Sequence, residues 1–258
     1  MKKINVFCFG FGQVAKYFIY NLSKKYEVNL ATTSREKTQK KKIFGINYHS
    51  YHFLDDNFDR KILSKIKNYD HILISIPPKN GVDIVIKNFQ KILRDFEINW
   101  ITYLSATSVY GDRQGKWVDE KSKLNPSTDN GKSRLAAEKT WIEFCDRKKL
   151  PIQIFRLSGI YSLERNIFKR IKFGLQKIVN KPDHFFSRIH VKDIANILEI
   201  TLEQRKIKSG EIYNLSDDYP CPNIEVANYA YSLMKISKPK MIEINEIKSK
   251  MLMNFYKD

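Results

Sequence analysis

Apolar residues along the chain fall into short runs that alternate with segments of helical spacing. The first run, Ile4-Asn5-Val6-Phe7-Cys8-Phe9, meets Gly10 and Gly12, after which Val14, Phe18 and Leu22 recur on one helical face. A second run, Val28 to Thr32, reads as a strand. The short stretch from Phe44 to His52 is read as a loop, and its histidines, His49 and His52, as structural or exposed rather than as metal ligands. A helix is expected from about Asp59 to Asn68. The following strand, His71-Ile72-Leu73-Ile74-Ser75-Ile76, is apolar almost throughout, as a strand covered on both faces must be, and Pro77-Pro78 stops it. A helix from Val82 to Phe96 and a strand from Trp100 to Ser105 continue the series. Strands alternating with helices in this way predict an α/β fold, a doubly wound parallel sheet.

The later chain is patterned differently. Phe168, Ile171, Leu175 and Ile178 keep helical spacing, with Lys169, Arg170, Lys172 and Lys177 between them. They predict an amphipathic helix with a basic solvated face; a basic lid over an anionic substrate is the functional alternative. Asp193 is expected to cap a helix that begins at Ile194, and Asn223, after Pro222, to cap a helix reaching Met234. These patterns divide the chain into a core, residues 1–158, and a small C-terminal substrate lobe, residues 159–258, interleaved with the end of the sheet.

A length of 258 residues with 42% apolar residues suits one α/β domain or slightly more, and excludes a disordered chain. Cys8, Cys145 and Cys221 have no paired spacing, so neither a disulfide framework nor a zinc site is indicated, and a reducing cytoplasm is the expected compartment. Met1-Lys2-Lys3 before an apolar run has the look of a leader, but the run is short and leads straight into the glycines; it is read as the first strand. No run is long enough to span a bilayer. The net charge of +18, from 46 Lys and Arg against 28 Asp and Glu, changes the picture of partners. The basic residues are scattered, with Lys40-Lys41-Lys42 the densest run, and no nucleic-acid motif accompanies them. Such a field favours small anionic substrates and phosphate-bearing cofactors over nucleic acid.

The glycines carry the clearest chemistry. Gly10-Phe11-Gly12-Gln13-Val14-Ala15, between a strand and a helix, has the Gly-x-Gly-x-x-Ala form of a dinucleotide turn. Gly10 makes the turn, Gly12 admits a pyrophosphate, and the backbone N–H groups around Gln13 and Val14 face its oxygens. The second strand ends at Ser34-Arg35, where an acid would take a free ribose hydroxyl and an arginine a 2′-phosphate. This favours NADP, with NAD less favoured. Pro77 lies at the same edge of the sheet.

Further motifs are more specific. Leu104-Ser105-Ala106-Thr107-Ser108-Val109-Tyr110-Gly111-Asp112, then Gly131-Lys132-Ser133-Arg134, Arg156-Leu157-Ser158-Gly159-Ile160-Tyr161, Arg188-Ile189-His190-Val191-Lys192-Asp193 and Tyr213-Asn214-Leu215-Ser216 follow one another in a family order. The chain resembles the extended short-chain dehydrogenases/reductases, the NAD-dependent epimerase/dehydratase superfamily, over residues 4 to about 235. Within it the chain resembles the atypical branch of bacterial YeeZ-like proteins, NAD(P)-binding oxidoreductases or epimerases without a settled substrate. The resemblance implies an NAD(P)-binding Rossmann fold, with Ser105 and Arg134 beside the cofactor. It also implies a catalytic Ser/Thr, Tyr and Lys, whose positions here hold Ala106, Asn130 and Arg134. An amide does not titrate near neutrality and a guanidinium stays protonated, so the usual acid–base pair is missing.

Tyr110 is the best substitute acid–base group, ahead of Tyr161, His190 and Asp119; packing is the competing reading of Tyr110. Asp119-Glu120 reads as a solvated pair and Arg156 as a structural ion-pair partner. The resemblance further implies a homodimer through the helix from Arg134 to Phe144. It also implies that the tail, ending Phe255-Tyr256-Lys257-Asp258, stops early and leaves the substrate side more open. Two functions follow: an oxidoreductase or epimerase/dehydratase acting on a small hydroxyl, carbonyl or sugar-nucleotide substrate, or a non-catalytic NADP(H)-binding redox sensor or regulatory module.

Overall fold

The alternation of buried runs and amphipathic helices is realised as one large sheet covered on both faces. A computed structural model of the chain describes residues 1–174, 177–181, 183–204, 208–238, 240–248, 253 and 256. The elements are, in order, β1 (Lys3–Phe9), α1 (Gln13–Lys25), β2 (Glu27–Ser34), β3 (Gln39–Ile43), β4 (Ile46–Leu54), β5 (Asn57–Phe58), α2 (Lys61–Lys65), β6 (His71–Ile74), α3 (Ile84–Leu93), β7 (Trp100–Ala106), α4 (Asp129–Lys148) and β8 (Ile152–Leu157). Then come β9 (Gly159–Tyr161), α5 (Ile167–Lys172), β10 (Lys177–Val179), β11 (Phe185–Phe186), β12 (Arg188–His190), α6 (Val191–Glu203), β13 (Glu211–Leu215), β14 (Cys221–Pro222), α7 (Asn223–Met234) and β15 (Lys240–Ile242).

The main sheet has the order β13-β8-β7-β6-β1-β2-β4-β3. Every neighbouring pair from β13 to β4 is parallel, and only β3 and the short β5 join antiparallel. The chain winds outward from β1 through β2 to β4, then returns to β6 on the other side of β1. That reversal opens a crevice at the carboxyl ends of β1 and β6, where such sheets take their ligands. Alternate residues of each strand feed two cores. Phe7, Phe9, Ile72, Ile74, Ile101 and Tyr103 pack under α3 and α4 with Phe89 and Trp141. Val6, Cys8, Leu73, Leu104 and Phe155 pack under α1 and α6 with Phe18, Ile19, Ile194 and Leu198. Burial on both sides explains why these strands are nearly uniformly apolar.

Residues beyond 158 also enter the main sheet and its cover: α6 packs on α1, and β13 adds the outermost strand. The lobe has two small cores of its own, Ile171, Ile178, Ala227, Ala230 and Tyr231, and Val179, Ile242, Ile247 and Tyr256.

Several elements differ from the sequence expectation. The stretch 44–52 is not a loop. Ile43-Phe44-Gly45-Ile46 turns a hairpin with positive φ at Phe44 (49°) and Gly45 (81°), and β4 is the third parallel strand. Phe44 tolerates the left-handed region because the primed hairpin turn matches the strand twist. The lysine run 40–42 lies on β3, the outer strand, where charge discourages pairing with another sheet edge. The helix expected over 59–68 is one turn and a half of α2 and a 3-10 turn, Ile66–Asn68. Strand β6 ends at Ile74, two residues early. The helix expected from Val82 starts after Asp83, whose carboxylate accepts from the N–H groups of Val85 and Ile86, and it ends at Leu93. The run beginning at Phe168 is helical only to Lys172: Gly174 has φ 91°, and Ile178 sits in β10, paired with β15; Leu175 lies outside the described residues. His190, not Asp193, caps α6, its ring nitrogen accepting from the Lys192 N–H. Asn223 is the first residue of α7 rather than its cap, and its amide oxygen takes an N–H of Arg188 at 2.6 Å. Of the last four residues only Tyr256 is described, buried beside His184 and Phe186.

Candidate functional site

The crevice is built by the turn after β1. Gly10 has φ 82°, which an L side chain resists, and a Cβ there would lie 2.7 Å from Ser75 Oγ. Its N–H donates to Thr33 Oγ1 at 2.9 Å, and Ser75 Oγ donates to the carbonyls of Phe9 and Gly10. The turn is thereby tied to both neighbouring strands. Thr33 was not visible as a site residue in the sequence, since it reads as one more β-former in an apolar strand.

Gly12 begins α1 with φ −80° and ψ −166°, and no side chain caps the helix. Nothing stands within 4 Å of where its Cβ would be. The first-turn N–H groups, with their partial positive charge, therefore open onto the crevice without an acidic neighbour in the helix. These features fit a dinucleotide: a glycine turn wedged between strands, an uncapped helix start, and open space where a Gly12 side chain would stand. Val14 is buried and anchors the turn.

The Gln13 side chain is engaged from the lobe. Its amide donates to Ser162 Oγ and, at 2.8 Å, to Glu164 Oε2, while the Tyr17 hydroxyl reaches both Glu164 oxygens at 3.2 Å. The Glu164 carboxyl is held below its usual range, chiefly by its own backbone N–H, with Ser162, Gln13 and Tyr17 adding to this. A turn at 162–165 thus latches over the start of α1. Sequence reading missed it because its partners lie about 150 positions apart.

At the end of β2, Ser34 Oγ accepts from Ser50 Oγ at 3.2 Å, and Arg35 is exposed. Glu36, the nearest acid, is held by Lys41 at 2.6 Å and Gln39 at 2.9 Å. Pro77 is exposed just past β6. Ser105, at the end of β7, is 2% exposed, and its hydroxyl has no partner among the described residues. A buried hydroxyl left unpaired at this edge fits a ligand amide or hydroxyl. Arg134, on α4, donates to the Leu104 carbonyl at 3.0 Å. The predicted cofactor residues therefore share one edge, the carboxyl ends of β2, β1, β6 and β7. Beneath them burial raises the Asp83 carboxyl, against the N–H groups of Ile86 and Val85 and the charge of Arg134.

The positions expected from the sequence to replace the family triad differ in exposure. Ala106 ends β7 half-buried, and Asn130 is exposed on the first turn of α4. Gly131 is there because the helix start presses on the β7 loop: a Cβ would lie 2.6 Å from the Ser108 carbonyl oxygen.

Tyr110 is 2% exposed. Its hydroxyl donates to Asn214 Oδ1 at 2.7 Å and accepts from Arg156 Nη1 at 2.8 Å. Arg156 in turn pairs with buried Glu138 at 2.8 Å and reaches the Glu120 carbonyl. The phenol belongs to a network joining the loop after β7 to β8, α4 and β13. Tyr110→Phe is expected to lower unfolding free energy by about 1–3 kcal/mol, since it leaves a buried guanidinium N–H and an amide oxygen unpaired. Urea unfolding measures this, and an unchanged midpoint would contradict the network.

Asp119 and Glu120 diverge. Asp119 closes its own turn through Ser122 and Lys121, while Glu120 Oε1 accepts from the Asn214 N–H at 2.6 Å. Tyr161 pairs with His190 across β9 and β12, ring centres 5.1 Å apart, and burial with the nearby Asp217 pushes its hydroxyl up to about 12. Among the described residues no helix is long and apolar enough to cross a membrane.

Comparison with known proteins adds to this geometry. The model of the NAD dependent epimerase/dehydratase family matches residues 87–216. Protein YeeZ of Escherichia coli (strain K12) is 25% identical over 236 residues, covering 87% of this chain and 81% of its own. The structure of a functionally unknown conserved protein from Silicibacter pomeroyi superposes with a TM-score of 0.79 at 28% identity, covering 98% of this chain and 87% of that one. UDP-glucuronic acid 4-epimerase from Bacillus cereus, solved in complex with NAD, superposes with a TM-score of 0.77 at 15% identity over 93% of this chain and 87% of its own, a likeness of fold.

Proposed function

Because the chain belongs to the NAD dependent epimerase/dehydratase family, we propose that it binds NADP(H) in the β1–β6 crevice and acts as an oxidoreductase or epimerase/dehydratase. Its substrate is a small hydroxyl- or carbonyl-bearing compound, sugar nucleotides included. The observation that carries this reading is the uncapped start of α1 at Gly12, beside a Gly10 turn that no other residue fits without strain. Backbone N–H groups of Gln13 and Val14 hold the diphosphate, Ser105 faces the nicotinamide end, and Arg134 stands where the family's lysine holds the ribose. When bound, the coenzyme donates or accepts a hydride at a carbon bearing oxygen.

The coenzyme preference rests on Arg35. It is exposed at the tip of β2 while the adjacent acid, Glu36, is tied to Lys41. A free guanidinium there meets a 2′-phosphate, and no carboxylate is free to take a ribose hydroxyl pair. Calorimetric titration with NADP and NAD side by side tests this. NADP is expected to bind more tightly, and Arg35→Ala to lower its affinity about tenfold, the loss of one charge-assisted contact, with NAD unaffected. Equal losses for both coenzymes would remove the case for NADP.

The locked Tyr110 hydroxyl favours one further reading, a binding module that senses NADPH without turning over. Asn130 carries an amide, which is not an acid–base group, and Tyr110 already donates to Asn214. NADPH oxidation with a panel of aldehydes, ketones and sugar nucleotides separates the two: turnover supports the enzyme, and tight binding without turnover the sensor. Three unpaired cysteines and the absence of an apolar spanning helix among the described residues support a cytoplasmic setting.

A further inference from the structure

One polar stripe runs the length of α1. Gln13, Tyr17, Asn21 and Lys25 recur every four residues and so share a helix face. The two far rungs tie α1 to α6: Asn21 donates to Asn196 Oδ1 at 2.8 Å, and Lys25 pairs with Glu199 and Glu203. Helix α6 is itself fixed in the core by Ile194, Ala195 and Leu198. The two near rungs go elsewhere. Gln13 and Tyr17 both donate to the Glu164 carboxylate, at 2.8 Å and 3.2 Å.

Glu164 belongs to a surface turn rather than to a packed element. Leu163 is 76% exposed, and Glu164 and Arg165 are exposed as well. The turn is ordered by buried Ser162, whose Oγ accepts from the N–H groups of Glu164 at 3.1 Å and Arg165 at 2.9 Å, and by Asn166, whose amide donates to the Ser162 and Leu163 carbonyls. The hydrogen bonds from the turn to α1 are all made by side chains, Gln13 to Ser162 and Glu164, and Tyr17 to Glu164. At exposed positions such bonds exchange readily for water, each being worth about 1 kcal/mol net.

The carboxylate keeps its charge. Among the described residues no Lys or Arg stands in ion-pair contact with Glu164, whereas Glu199 and Glu203, at the other end of α1, share Lys25. Helix α1 has no acid in its first turn and no side-chain cap. A full negative charge is thus bonded to the first residue of α1, at the end where the dipole and the unpaired N–H groups draw anions.

We propose that Glu164 is an autoinhibitory strap, the chain's own anion at the start of α1, which opposes the diphosphate of the dinucleotide and so sets coenzyme affinity. This rests on the coenzyme reading above and adds the residue that works against binding. A diphosphate brought to the Gln13 and Val14 N–H groups meets the carboxylate tied to the Gln13 side chain. The like charges repel until Glu164 lets go of Gln13 and Tyr17 and turns to solvent.

The test titrates NADPH and NADH separately into the full chain as wild type, Glu164→Gln and Glu203→Gln. Calorimetry is run at ionic strengths of about 0.1 M and about 1 M, where a charge is felt over roughly 10 Å and 3 Å. Glutamine removes the charge and keeps an oxygen for Gln13 and Tyr17. At the lower ionic strength Glu164→Gln is expected to bind each coenzyme that binds at all about threefold or more tightly than wild type, and at the higher one about equally. Glu203→Gln takes the same charge from the far end of a helix roughly 20 Å long, and should match wild type throughout. A latch that only held the fold together would leave binding unchanged or weaker in Glu164→Gln, whatever the salt. Unchanged or weaker binding by Glu164→Gln, a gain that salt does not erode, or an equal gain in Glu203→Gln overturns the proposal. If neither coenzyme binds any of the three proteins, the coenzyme reading falls and the strap with it; binding by wild type that Glu164→Gln does not improve removes the strap alone.

Discussion

Glu138→Ala is expected to cost about 3–5 kcal/mol of unfolding free energy, the penalty for stranding one member of a buried ion pair. Glu138 and Arg156 are 1% and 2% exposed, and Arg156 gives Nη2 to Glu138 Oε2 at 2.8 Å and Nε to both carboxylate oxygens at 3.2 Å. Removing the acid leaves a guanidinium with Tyr110 and the distant Glu120 carbonyl as its remaining partners. The pair itself is worth much less than its disruption, because two desolvation costs oppose the attraction. Glu138→Leu combined with Arg156→Met should therefore recover most of the loss. Urea unfolding of the two variants measures both effects; a single-variant loss below about 1 kcal/mol, the scale of an ordinary hydrogen bond, would mean that water reaches the pair.

Gly12→Glu separates folding from binding. The backbone at Gly12 is in an ordinary region, φ −80°, and space around its Cβ is open, so the fold admits a side chain. A carboxylate there would project into the proposed diphosphate seat and repel its charge. Affinity for either nicotinamide coenzyme is expected to fall at least about 100-fold, equivalent to roughly 2.7 kcal/mol, with an unchanged urea midpoint. Gly10 is the contrast. Substitution at φ 82° with Ser75 Oγ 2.7 Å away disturbs the turn, so there lost binding would not separate contact from misfolding. Coenzyme affinity that survives Gly12→Glu would place any dinucleotide elsewhere.

The glycines were legible because a turn that requires positive φ, followed by a helix needing an open start, leaves few residue choices. Strands β1, β2, β6 and β7 were legible because burial on two faces demands continuous apolar runs. The third strand was missed because β4, next to the edge strand β3, carries Asn47, His49 and His52 among its apolar residues and is open to solvent at several of its positions. The helix expected across 168–178 was overextended because spacing alone does not register that Gly174 breaks it and that β15, more than 60 residues later, recruits Ile178.

What the sequence determined by itself is the local layer: which segments are strands or helices and where the chain must turn. Tertiary structure alone decided which polar groups are satisfied. Tyr110 is occupied by Arg156 and Asn214, Glu36 by Lys41, and Gln13 by a turn from the lobe, whereas the Ser105 hydroxyl has no partner among the described residues. The reason is physical. Backbone conformation is set by neighbours in the chain, while the partner of a buried polar group is whatever the fold brings within about 3 Å, and that depends on residues far away in sequence.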